Sequence, residues 1–267
     1  MSRCSRTSLG LIAGLLIGAL GGLIGLGGAE FRLPVLVGMF RLPTLEAVIL
    51  NKAMSLVVVA AALVFRAKAI SLDQQLAHID VSLNLLAGSL VGAWWAAGHA
   101  IKMSRLWLDR CIMVLLAGLA IVMLSEAWFD LHNGSAPIFP DSTTQFLAGV
   151  LAGVGIGIVA ALLGVAGGEL LIPTIVLLYG LDVKLAGSLS LTVSLPTMLV
   201  GFARYTRSDA FLVLHHEQTL FLSMVAGSIL GAAIGGLLLG LLPTNLLLTL
   251  LGLILLISAL KTFQHRH

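Results

Sequence analysis

Charge is what this sequence lacks most: Asp, Glu, Lys and Arg make up only 10% of its 267 residues, against about 25% in a typical soluble domain. A water-soluble fold of this length must cover its surface with polar groups, so that class is excluded. Cysteine is nearly absent. Cys4 and Cys111 are the only two, too few for a disulfide framework or a cysteine-based metal site. No nucleophile–base cluster, metal-ligand spacing or phosphate-binding loop is visible, which argues against an enzyme and against a bound cofactor. His215-His216-Glu217 invites a metal, but adjacent histidines at a helix start are usually solvated. The net charge of +3 is too small to imply nucleic acid. Polar and apolar residues do not alternate as the strands of a membrane barrel require.

What is present is apolar. Hydrophobic residues make up 59% of the chain, and the mean hydropathy is +1.09. The apolar runs are continuous and rich in Leu, Ala and Gly. A spanning helix needs about 20 such residues, which leaves room for about eight to ten crossings. Basic residues fall mostly between the runs, as in cytoplasmic loops, and point to a multi-pass protein of the inner membrane. Arg3 and Arg6 ahead of an apolar run resemble a signal peptide. However, the run from Leu9 to Leu26 has a counterpart near 148–165, so it reads as the first helix.

The chain matches itself at an offset of 139 residues. Gly10, Gly14 and Gly18 fall on Gly149, Gly153 and Gly157; Gly25 and Gly28 fall on Gly164 and Gly167. Glu30 falls on Glu169, Pro34 on Pro173, and Ser55-Leu56 on Ser194-Leu195. Composition alone could align glycines, but not Glu and Pro in a chain with few of either. The domain organisation is therefore a first transmembrane repeat over 1–127, a linker over 128–144 and a second repeat over 145–267.

Each repeat holds four long apolar segments and one short one. The long ones span 9–27, 44–65, 79–100 and 106–127, then 147–166, 184–204, 217–240 and 244–261. The short ones span 30–40 and 169–179. If the short segment crosses the bilayer, each repeat has five crossings and the repeats are inverted. If it dips in and returns, each has four and they are parallel. With five crossings and the N-terminus inside, Arg3, Arg6, Arg41, Lys102, Arg105, Arg204, Arg207, Lys261 and Arg266 are cytoplasmic, and only Arg66, Lys68 and Lys184 are outside. With four, that asymmetry weakens. The positive-inside rule thus favours an all-α polytopic membrane protein of two inverted repeats, each with four long transmembrane helices plus one short, Gly-interrupted helix.

The most informative segments are Gly21–Pro34, with Gly27-Gly28-Ala29-Glu30, and Leu163–Pro173, with Ala166-Gly167-Gly168-Glu169. Glycine pairs loosen a helix, and a proline close behind is tolerated in the first turns of a new one. Each stretch is expected to break at the glycines and restart near Glu30 or Glu169. A break inside the bilayer leaves backbone amides that need partners, and the N-terminus of the restarted helix suits an anion. Paired breaks are a pointer to a midplane transport site. Gly10, Gly14 and Gly18, in contrast, fit close helix packing.

A glycine cluster followed by proline, repeated twice in a chain of this length, resembles the sulfite exporter TauE/SafE family of membrane permeases. The resemblance covers nearly the whole chain. It implies movement of sulfur-containing anions such as sulfite, sulfate or organosulfonates, often outward. The chain departs from the common three-glycine pattern by carrying Glu30 and Glu169 beside the proposed anion site.

An ionisable residue deep in the bilayer costs at least ~2.5 kcal/mol on insertion scales and is a functional candidate by default. Glu30 and Glu169 are candidates for proton coupling, because burial raises a carboxyl pKa. Each could equally cap its restarted helix. Asn51 and Lys52 lie inside the second long segment, where Lys52 could pair with Glu30, attract the anion or snorkel to a headgroup. The matching stretch of the second repeat holds Ser188, Ser190, Thr192, Ser194 and Thr197. These hydroxyls would line one face of an unwound stretch, or bond to neighbouring helices. The expected substrate-binding set is Gly27, Gly28, Glu30, Pro34, Asn51, Lys52, Gly167, Gly168, Glu169, Pro173, Ser190 and Ser194. The expected partners are a small anionic solute and the lipid bilayer, with homodimerisation open. A cation or metal-ion transporter or channel using the same Glu pair is the alternative.

Overall fold

Backbone amides inside a bilayer have no water to bond, so each long apolar run satisfies its own as a helix. The structure, a computed structural model, describes residues 3–24, 28–66, 75–129, 141–181 and 183–237, with 249, 253 and 256. Before residue 130 lie α1 (Arg3–Ile24), α2 (Ala29–Gly38), α3 (Thr44–Arg66), α4 (Ile79–Lys102) and α5 (Arg105–Phe129). After residue 140 come α6 (Ser142–Leu163), α7 (Gly168–Tyr179), α8 (Val183–Tyr205), α9 (Val213–His216) and α10 (Gln218–Leu237). There is no strand among the described residues. The expected segment 244–261 falls almost wholly outside them.

Four of these helices are long and apolar enough to cross a membrane: α3, α4, α6 and α8. A fifth span forms if 209–216 and 218–234, bent by 70° at their junction, count as one. The chain is a multi-pass, all-helical membrane protein. Large apolar side chains such as Leu16, Leu83, Val91, Ile121, Leu151 and Leu222 are exposed, as lipid-facing surfaces require.

The bend was not expected from the sequence. Residues 209–212 form a 3-10 turn whose start is capped by the Ser208 hydroxyl, which accepts from the Ala210 amide at 3.3 Å. The turn delivers the chain into α9, and His215 and His216 lie exposed at its end.

Small residues set the tightest helix contacts. A Cβ on Gly14 would lie 2.3 Å from the Met224 carbonyl oxygen, and one on Gly18 2.3 Å from that of Ser228. The same contacts recur in the other pair of helices: Gly153 on Leu85 at 2.4 Å and Gly157 on Ser89 at 2.2 Å. α1 therefore packs on α10 as α6 packs on α4, residue for residue at the 139-residue offset. This is the small-xxx-small packing expected for these glycines.

Contacts also give helix directions. Residue numbers rise together in α1 against α10 (Gly14 on Met224, Gly18 on Ser228) and in α6 against α4 (Gly153 on Leu85, Gly157 on Ser89). They also rise together in α4 against α8, where Ser89 bonds Thr197 at 2.6 Å and Gly98 lies against Arg204. They run opposite in α3 against α8: Lys52 lies on Gly201, while Val59 shares an apolar cluster with Met198. α7 turns back along α6, since Gln145 donates to the Leu178 carbonyl at 2.7 Å.

Candidate functional site

The site is built from two helix interruptions. α1 ends at Ile24 and α2 starts at Ala29; α6 ends at Leu163 and α7 starts at Gly168. Both restarts fall within one residue of the expected glutamates. Gly28 (φ 68°) precedes α2, Gly164 (φ 67°) follows α6 and Gly167 (φ 79°) precedes α7. These left-handed conformations favour glycine. Space demands it as well: a Cβ would lie 2.5 Å from the Ile17 oxygen at Gly28 and 2.4 Å from the Val48 oxygen at Gly164. Gly168 is buried as the first residue of α7, while Gly27 lies outside the described residues.

Pro34 and Pro173 are not in the first turn of their helices. Each is the sixth residue, where the ring nitrogen cannot donate to the carbonyl four residues back. Those carbonyls belong to Glu30 and Glu169.

α3 and α8 supply side chains to the second break. The amides of Gly164 and Val165 cap the carbonyls of Ala160 and Ala161, and buried polar side chains add further donors at the end of α6. The Asn51 amide donates to the Leu163 oxygen at 3.1 Å and to the Ala29 oxygen at 3.0 Å, so one side chain joins the end of α6 to the start of α2. The Lys52 ammonium donates to the Ala160 oxygen at 3.1 Å. The Tyr205 hydroxyl donates to the Ala161 oxygen at 3.1 Å, and Ser55 to the Gly164 oxygen at 3.4 Å. Gly201 leaves room for Lys52, whose Nζ lies 6.0 Å from the Tyr205 ring centre. Asn51, Lys52 and Tyr205 are fully buried.

Glu30 is fully buried in the first turn of α2, the end where the helix dipole favours a carboxylate. The side chain of Glu169 lies outside the described residues. Two residues beyond Glu30 is a group to which sequence reasoning assigned no role. Arg32 is fully buried, feels the charge of Glu30, and donates from Nη2 to the Ser55 hydroxyl at 3.4 Å. Its Nε and Nη1 have no hydrogen-bond partner among the described residues. The signal that could have found it was a lone arginine inside a ten-residue apolar helix.

The hydroxyls of α8 do not line an unwound stretch. α8 is helical throughout, and Ser190, Thr192 and Thr197 donate back to the carbonyls of Gly187, Ser188 and Val193. Such back-bonding is the usual fate of helical Ser and Thr. Ser194 is buried with no partner for its hydroxyl among the described residues. Among the described residues it makes no hydrogen bond to the cluster around Asn51.

The structure thus gathers Glu30, Asn51 and Lys52 around the breaks, with Arg32 and Ser55 added. Among the described residues no three His, Cys, Asp or Glu side chains converge as a metal site. A family model described as "Sulfite exporter TauE/SafE" matches residues 9–262. No curated protein and no solved structure gives a significant match.

Proposed function

From the chain's membership of the sulfite exporter TauE/SafE family, we propose that it is a secondary transporter of small anions in the inner membrane. Sulfur oxyanions or organosulfonates are its substrates, and the interrupted helices α1–α2 and α6–α7 form its transport site. The observation that carries this reading is the Asn51 amide joining the end of one interruption to the start of the other. Two matched breaks meeting at one buried side chain are what a midplane site between repeats requires. The buried cations Arg32 and Lys52 beside them give the site the sign an anion needs.

The repeats, 1–127 and 145–267, are inverted in this reading. The directions of α3 and α8 support it, since these counterparts at the 139-residue offset run opposite ways. So does the pairing of α4 parallel to α8: with four crossings per repeat, the two would run opposite. Glu30, which is buried, and its counterpart Glu169 carry protons that couple transport to the proton gradient.

The rival is a cation pathway through Glu30, Glu169 and backbone carbonyls. Its weakness is that the carbonyls at the end of α6 already accept from Lys52, Tyr205, Asn51 and Ser55. Purified protein in proteoliposomes decides between them. Uptake of sulfite, sulfate or an alkylsulfonate, stimulated by an imposed pH gradient, is the expected result. Uptake of divalent cations with no anion flux would overturn the proposal.

A further inference from the structure

We infer that Arg32 is the anion-binding residue, and that the duplicated frame holds one anion site per chain rather than two. This rests on the reading of the chain as an anion transporter.

The first observation is an excess of donors. Arg32 is fully buried, yet Nε and Nη1, which between them carry three N–H donors, have no acceptor among the described residues. Buried polar groups are normally satisfied, and an exception needs an explanation. Glu30 acts on Arg32 electrostatically, but residues two apart on a helix do not face each other. Through Ser55, Arg32 is linked to the Gly164 carbonyl at the break. An anion with several oxygens, seated there, would take up the unused donors. A halide, with one centre, would not satisfy donors that point in different directions.

The second observation is an asymmetry. At the 139-residue offset Arg32 corresponds to Leu171 and Lys52 to Leu191. Leu171 is buried in an apolar cluster with Ile175, Val176 and Leu189. The second break therefore has carbon where the first has guanidinium. Lys52 is committed to the Ala160 carbonyl, which leaves Arg32 as the cation with donors to spare.

The test is calorimetric titration of purified wild-type protein, Arg32→Gln, Arg32→Lys, Glu30→Gln and Glu30→Gln/Arg32→Gln with sulfite, sulfate and methanesulfonate. Wild type is expected to bind one anion per chain, with chloride weaker. Each Arg32→Gln variant is expected to lose at least about tenfold in affinity, as for removal of a charged hydrogen-bonding partner. Arg32→Lys keeps the charge, and so the fold if Arg32→Gln fails to fold; it too should bind about tenfold more weakly, having lost the guanidinium donors. Two anions per chain, unchanged affinity in Arg32→Lys, or recovery in the double variant to the affinity of Glu30→Gln alone would overturn the inference while leaving the transporter reading intact. Recovery in the double variant would make Arg32 merely the counter-ion of Glu30. Failure of the wild type to bind any of the three anions would overturn the transporter reading as well.

Discussion

Lys52 holds its ammonium 3.1 Å from the carbonyl oxygen of Ala160, in the last turn of α6. A lysine inside an apolar run invites the idea of an anion ligand, but this one faces the negative end of a helix dipole. With Asn51, Ser55 and Tyr205 it adds side-chain donors to carbonyls at the end of α6, two of which the Gly164 and Val165 amides also cap. The break is thus braced from two other helices, α3 and α8, and the charge of Lys52 serves the backbone first.

That division of labour is measurable. Lys52→Met is expected to lower stability by about 1–2 kcal/mol, the upper range for a partly or fully buried cation at a helix C-terminus. Its anion affinity should stay within about threefold of wild type. Arg32→Gln should do the reverse, with little change in thermal unfolding and a large loss of binding. Thermal unfolding in detergent beside calorimetric titration checks both; equal losses of binding in the two variants would assign Lys52 to the anion after all.

Asn51 gives a second prediction. Asn51→Leu is close in size but leaves the Ala29 and Leu163 oxygens without the amide. At about 1–3 kcal/mol for each buried group deprived of its partner, the variant should lose about 2–6 kcal/mol. Asn51→Asp should be worse at neutral pH, because a carboxylate would face two carbonyl oxygens. Acidification that protonates the new carboxyl returns one donor, so its stability should rise as pH falls, opposite to the usual acid denaturation. A pH series of unfolding temperatures for the two variants reads this directly.

The long helices were legible in the sequence because the bilayer fixes both their length and their composition. The segments expected at 44–65 and 79–100 are α3 and α4 to within two residues at each end. The breaks were legible because Gly28 and Gly167 adopt a backbone conformation few other residues tolerate. The partners of the break were not. The acceptor of Lys52 lies 108 residues away in the chain, and no local pattern announces it. Arg32 was missed because an arginine two residues from a glutamate reads as ordinary charge compensation until its burial is known. α9 was missed for a simpler reason: four residues are too few to show a helical periodicity.

The hinge glycines should rank by space as well as by backbone. Gly28→Ala and Gly164→Ala combine a left-handed conformation, worth about 1–2 kcal/mol, with a methyl driven against a main-chain oxygen. Gly167→Ala has the conformation but only side-chain neighbours, Ile156 at 3.2 Å and Ala160 at 3.4 Å, so it should be the mildest of the three. Gly38→Ala, with nothing within 4 Å, should be neutral. Expression level and unfolding temperature across the four variants test the order; a damaging Gly38→Ala, at an exposed site with open space, would mean that neither close contact nor a left-handed backbone governs these positions.

Coupling to protons makes a prediction about binding as well as transport. If protonation of Glu30 removes its repulsion of the anion, affinity must rise as pH falls. By linkage, the anion must then raise the affinity for the proton by the same factor. Wild type should therefore take up protons when it binds sulfate, an uptake visible as a binding enthalpy that varies with the ionisation enthalpy of the buffer. Glu30→Gln mimics the protonated side chain. It should bind at pH 7.5 as tightly as wild type does in acid, with reduced proton uptake. Glu30→Gln/Glu169→Gln should transport at a rate independent of the imposed pH gradient. A double variant that keeps full pH dependence would remove the glutamates from the coupling and leave each as a cap on its restarted helix, a role that Gln can also fill.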